Sequence, residues 1–132
     1  WAIAMVHNEE IDRINILNAA IRAMHRAIDQ LTTNPEHLLI DGNRFHTYQS
    51  IPHDCIIKGD SIYKCIAAAS ILAKTHRDEY MNKLHGDYPH YGWDRNKGYG
   101  TKIHRAALQE FGPSPLHRTS FKLIEKQRKL EF

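Results

Sequence analysis

Residues 58–78, KGDSIYKCIAAASILAKTHRD, carry a basic loop into a helix whose opening turns are built from small residues and whose last turn presents a carboxylate. Ala67, Ala68, Ala69 and Ser70 leave room for close packing on a sheet, and a helix packed that way delivers Asp78 to one end of it. Ser61 is available as the cap of this helix and Gly86 as its stop, so the expected span is 61–85.

Working outward toward the N-terminus, HLLIDG (37–42) reads as a short buried strand. Cys55-Ile56-Ile57 reads as a second, with a polar loop between them. Ahead of these, His7-Asn8-Glu9-Glu10 supplies a cap residue and first-turn acids. Ile11, Ile14, Leu17, Asn18, Ile21, Met24, His25 and Ile28 then recur at helical spacing, which predicts one long amphipathic helix ending near Thr32-Thr33-Asn34-Pro35. Trp1 to Val6 is strand-like and begins abruptly. Helices between strands imply parallel crossovers.

Toward the C-terminus, HGDYPHYGWDRNKGYGT (85–101) mixes glycine, aromatic and basic residues too irregularly for a regular element. Long ordered loops of this kind commonly carry function. Thr101 caps a shorter helix from Lys102 to Phe111, ended by Gly112-Pro113, and a last basic helix is expected from Phe121 to Leu130. There are no repeats. The reading is an α/β domain over residues 1–112 with a helical C-terminal extension over 113–132.

A chain of 132 residues with 42% hydrophobic content is long enough for one real core. Its longest apolar stretches, Ile66 to Ala73 and Trp1 to Val6, are too short to span a bilayer and no leader precedes them, so a soluble, cytoplasmic protein with no membrane partner is expected. Cys55 and Cys65 stand ten apart without a CxxC pair. That argues against zinc or a disulfide framework and for two buried free thiols. The net charge of +3 is unevenly placed, because residues 1–57 are acidic and residues 58–132 basic. A polyanion-binding face therefore belongs to the second half, where His85, His90, His104 and His117 add charge in acid.

Asp41 closes the apolar run Leu38-Leu39-Ile40, where open α/β sheets place their ligand sites. Taken alone, Asp41-Gly42 reads first as a plain turn, and Asp78 first as an exposed helical ion pair with Lys74. His85 and His90, five apart without a third partner, do not make a metal site. Trp93, Tyr88 and Tyr91 read first as packing under their loop and second as stacking platforms.

Five strings in order, EIDRINILNAAIRAMHRAI (10–28), LLIDGN (38–43), KGD with AAASILAKTHRD (58–60, 67–78), NKGYGTKIH (96–104) and HRTSF (117–121), resemble type 2 ribonuclease H, ribonuclease HII. The resemblance implies a ribonuclease H-like fold, partial here, with its N-terminal strands missing. It implies an endoribonuclease that hydrolyses the RNA strand of RNA/DNA hybrids and cuts 5′ of ribonucleotides embedded in duplex DNA, using magnesium or manganese. On the same resemblance Asp41 and Asp78 match the last two carboxylates of the metal site, and Tyr99 matches the tyrosine that packs on the sugar at the RNA/DNA junction. Lys58, Lys97, Lys102, His104, His117, Arg118 and Ser120, in or beside these strings, are the expected phosphate contacts.

The family's Asp-Glu-Ala-Gly-Arg-Gly motif does not occur in these 132 residues. The expectation is therefore an N-terminally truncated chain holding half of the metal ligands, weakly active or inactive alone. A full-length form is expected to be monomeric, whereas this chain, with an uncovered sheet edge, is expected to self-associate. A non-catalytic nucleic-acid-binding fragment is the alternative, and a purely structural helical domain the third reading.

Overall fold

A computed structural model of the chain describes residues 1–121. Its elements are α1 (Asn8–Asp29), β1 (Leu38–Asp41), β2 (His53–Ile56), α2 (Lys64–Asp87), α3 (Trp93–Asn96) and α4 (Lys102–Phe111), with short 3-10 turns at Gly59–Ser61 and Pro89–Tyr91. The chain divides into two compact units, Trp1–His76 and Arg77–Phe132, and α2 runs through the boundary. The expected last helix falls on residues 122–132, outside the described residues.

In the first unit, α1 is not the continuous helix its periodicity predicts. Asn15 sits at φ 64°, ψ 167° and splits it in two. Glu10 nevertheless pairs with both Arg22 and Arg26 at 2.9 Å. In a straight helix twelve to sixteen residues would put these groups roughly 18 to 24 Å apart, beyond side-chain reach. The chain therefore turns back at Asn15. Two asparagines serve the broken ends: Asn15 Oδ1 accepts the N–H of Asn18, and the Asn18 amide donates to the carbonyl of Ile14. Asn15 acts as an internal N-cap that the apolar spacing conceals. Leu17, expected on the buried stripe, is exposed just beyond this break, while Ala19 and Ile21 are buried.

Trp1–Val6 forms no strand, because none of the described residues pairs with it. It is held instead by Arg26 reaching the Met5 carbonyl and by Trp1 lying 5.7 Å from the His76 ring. The expected strands do form, and β1 pairs with β2 in parallel, Leu38 opposite His53 and Asp41 opposite Ile56. Leu38 and Ile40 point into the core. The 42–52 connection between them is irregular rather than helical. It is strapped to α1 by His25 Nε2 donating to the His46 carbonyl at 2.9 Å, by Tyr48 donating to Asp29, and by Phe45 packed between His25 and His53.

Helix α2 begins at Lys64, not at Ser61, and ends at Asp87, one residue past Gly86. Residues 59–61 are spent on the 3-10 turn that precedes it. Its small-residue face does not pack as expected. Ile66 is the buried residue of its first turns, and Ala68, Ala69 and Ser70 are exposed. Cys55 and Cys65 are free thiols, yet exposed rather than buried, since no described element covers them.

In the second unit, the stretch expected to be irregular contains a 3-10 turn and the one-turn helix α3. Tyr91 and Trp93 stack at 5.1 Å and form a core with Ala107 and Leu108, against which Met81, Leu84, Tyr88 and Leu116 pack. Their packing role is the first of the two readings given to them. The Tyr91 hydroxyl, otherwise costly to bury, donates to the Gly112 carbonyl at 2.7 Å. Helix α4 forms as its caps predict: Thr101 Oγ1 accepts the His104 N–H, and Gly112 ends it at φ 74°.

Candidate functional site

Asp41 is the last residue of β1, exposed at the carboxyl end of the strand pair, which the Gly42 N–H closes by donating to the Ile56 carbonyl at 2.9 Å. Its carboxylate is held by the Gly59 N–H, which donates to Oδ1 at 2.9 Å. Gly59 is buried, and a Cβ there would lie 2.7 Å from Ile66 Cδ1, 3.4 Å from Ile56 Cβ and 3.5 Å from Asp41 Oδ1. Close approach, not an unusual backbone angle, is what demands glycine at this position. The turn is entered through Lys58, an exposed residue in the left-handed region at φ 56°.

Asp60 follows Gly59 directly and is exposed, its Oδ1 3.5 Å from the Ser61 hydroxyl. The sequence reading passed over it in favour of Asp78. The signal that finds it is positional: β1 and β2 are parallel, Asp41 stands at the carboxyl end of the first, and Asp60 stands in the turn that leaves the second. Asp78 is a half-buried residue of α2 in the second unit.

A second group of expected residues is organised by the 96–101 loop. Buried Asn96 is its anchor, donating to the Tyr91 carbonyl at 2.7 Å and accepting the Gly98 N–H at 2.8 Å. Lys97 is half-buried at φ 48°, and its ammonium donates to the Asp94 carbonyl at 2.6 Å and to the Asn82 side chain. That lysine is spent on closing α3. Tyr99 is 68% exposed, with its N–H on the Asn96 carbonyl and its own carbonyl accepting from Thr101, so a fixed backbone presents an exposed ring.

Of the remaining expected phosphate contacts, Lys58, Lys102 and Ser120 are exposed, and Arg118 is half-buried with its guanidinium 3.8 Å over the Phe121 ring. His104 and His117 are different, because both are buried and their Nε2 atoms face each other at 3.0 Å. The Ser114 N–H donates to His117 Nδ1, so neutral His117 carries its proton on Nε2 and donates it to His104. Burial, more than any neighbouring group, lowers the pKa of each ring from its ordinary value of 6.5. Both rings are neutral core members and offer no charge to a phosphate. Reading histidine as a latent cation of the basic half concealed this.

The carboxylates at the end of the strand pair are donors of the kind a hard divalent cation takes. Their number is short: among the described residues no three His, Cys, Asp or Glu side chains converge as a metal-holding group. No helix among them is long and apolar enough to cross a membrane.

Residues 2–124 match the sequence model of the family described as Ribonuclease HII. The chain belongs to the ribonuclease HII family. It is 60% identical over 131 residues to the ribonuclease HII of Phocaeicola vulgatus, covering 99% of this chain and 65% of that one. Identity is 62% over 124 residues to the ribonuclease HII of Bacteroides thetaiotaomicron, covering 94% and 62%. For the ribonuclease HII of Christiangramia forsetii it is 58% over 132 residues, covering 100% and 67%. The chain thus spans about two thirds of the length of these curated ribonuclease HII relatives. Its helices and parallel pair are consistent with part of a ribonuclease H-like fold.

Proposed function

We propose that this chain is part of a ribonuclease H that hydrolyses the RNA strand of RNA/DNA hybrids and cuts 5′ of ribonucleotides in duplex DNA, leaving a 3′-hydroxyl and a 5′-phosphate, in the cytoplasm. The observation that carries the reading is the 2.9 Å hydrogen bond from the Gly59 N–H to Asp41, which builds the KGD turn around a carboxylate at a strand end. Asp41 and Asp60 are the residues that would hold a divalent magnesium or manganese ion, with carboxylates beyond those described completing its coordination. Asp78 is the ligand the resemblance first suggested; Asp60 is placed ahead of it because it follows directly on Gly59, whose N–H holds Asp41.

Bound metal ions in such a site supply charge neutralisation at the attacking and leaving oxygens and a more acidic water. The chain's own contribution is to hold Asp41 in one orientation through Gly59, to offer Lys58, Lys102 and Arg118 to the phosphates, and to set the Tyr99 ring where it can test a sugar by shape. A binder without chemistry is the second reading, favoured by the absence of a three-residue metal group among the described residues.

The test uses this chain with a DNA duplex holding one ribonucleotide, in manganese. Binding is expected to weaken steeply with salt, as phosphate neutralisation requires, while cleavage is slow or absent. Manganese affinity, read by electron paramagnetic resonance, should fall in Asp41→Asn and Asp60→Asn and stay unchanged in Asp78→Asn. Binding that ignores salt would remove the nucleic-acid reading. Metal affinity lost only in Asp78→Asn would return the ligand role to Asp78.

A further inference from the structure

The ring of Tyr99 is exposed, but the backbone beneath it is gripped from one face of α2. Arg77 donates from Nη2 to the Lys97 carbonyl at 2.7 Å, and the same guanidinium lies 5.1 Å from the centre of the Tyr99 ring. One turn further along α2, Met81 presses on the loop so closely that a Cβ on Gly98 would come within 3.2 Å of its methyl group. Asn82 receives the Lys97 ammonium. Lys97 is in the left-handed region at φ 48°, a strained place for a residue with a side chain, whereas Gly98 takes φ 82° freely, so the contacts around Lys97 help to hold the loop's shape.

We propose that Arg77 is a positioning residue for substrate discrimination, acting through Tyr99. It fixes the loop at the Lys97 carbonyl and places its guanidinium over the Tyr99 ring, so that the ring meets a sugar already oriented. The inference rests on the reading of Tyr99 as the sugar-testing residue. Arginine suits the task where lysine does not, because one flat group both donates in its plane and stacks across it. The bland alternative is an exposed arginine that touches phosphate directly.

Two measurements separate these. The first is amide hydrogen exchange at Tyr99 and Thr101 in Arg77→Gln and Arg77→Lys. Loss of one exposed charge-assisted bond and one cation–π contact predicts exchange about threefold to tenfold faster at both amides. The Arg105 amide, on the Thr101 carbonyl within α4, should be unchanged and reports that the unit is still folded. Unchanged exchange at Tyr99 and Thr101 overturns the latch.

The second is the ratio of affinities for a fluorescein-labelled duplex with one ribonucleotide and its all-DNA counterpart, in wild type, Arg77→Gln, Tyr99→Ala and the double variant. The expected result is that Arg77→Gln lowers the ratio and has no further effect once Tyr99 is alanine. If Arg77→Gln instead weakens both duplexes equally with either residue at 99, Arg77 is a phosphate contact and the proposal fails. A ratio unmoved by Tyr99→Ala overturns the Tyr99 reading itself, and the exchange data then report on the latch separately.

Discussion

Asn15 concentrates a conflict in a single residue. Its φ of 64° with ψ of 167° falls in a region that side chains avoid, at a cost on the order of 1–3 kcal/mol, while its side chain caps the helix segment that follows, worth about 1 kcal/mol. Asn15→Ala loses the cap and keeps the strain, whereas Asn15→Gly loses the cap and relieves the strain. Urea unfolding should therefore rank the alanine variant below wild type by roughly 1 kcal/mol and the glycine variant at or above it. Equal midpoints for the two variants would mean that the backbone angle carries no strain. The buried His104 and His117 give a second residue-level outcome. With both pKa values lowered in the folded state, the unfolded chain binds more protons below 6.5. Their contribution to stability is full above that value and is lost as pH falls through the lowered folded values. In a Trp1→Phe background Trp93 is the sole tryptophan, and its fluorescence should report an unfolding midpoint that drops between pH 7 and pH 5. A flat midpoint would contradict a neutral pair. Neither feature was visible in the sequence, since helical spacing runs unbroken across Asn15 and a histidine's protonation depends on burial that only tertiary packing creates.

Elements bounded by local chemistry were legible, and those bounded by distant contacts were not. Helix α4 follows from Thr101 and Gly112 alone, because cap and stop act on their own neighbours. The start of α2 is set instead by Asp41, seventeen positions before Lys58, whose carboxylate captures the Gly59 N–H and commits residues 59–61 to a separate turn. Ser61 has the right chemistry for a cap but is already used. For the same reason the strand-end position of Asp41 was legible, while that of Asp60, proposed beside it, was not, since its place depends on where β2 ends. Gly59→Ala tests this arrangement. A methyl group 2.7 Å from Ile66 Cδ1 must displace that side chain or the turn, at a cost of about 1–3 kcal/mol by the usual penalty of overpacking. Calorimetry should show the loss, and manganese affinity should fall with it if the turn moves away from Asp41. A destabilised variant with unchanged manganese affinity would mean that Ile66 alone gives way.

Across the molecule, large apolar side chains remain uncovered in the first unit: Ile57, Ile62 and Ile71 are each more than 60% exposed, and among the described residues the sheet has two strands, each with an unpaired edge. Such surface promotes association. Sedimentation velocity should show mass rising with concentration, and an Ile57→Ser, Ile71→Ser double variant should stay smaller; a monomer at all concentrations would remove this expectation. The fold class and the basic second half were both readable from pattern and charge. Which faces are covered was not, because spacing marks a side chain as apolar without saying what meets it. The parallel pair itself has a further consequence, in time rather than in space. Parallel strands usually await a long helical crossover, so they form late. Here the 42–52 connection is short and irregular, and closing a loop of that length carries little entropic cost. Refolding of this chain should therefore bring Ile40 and Ile56 together early, with Asp41, at the exposed end of the first strand, anchored by Gly59 among the first native contacts.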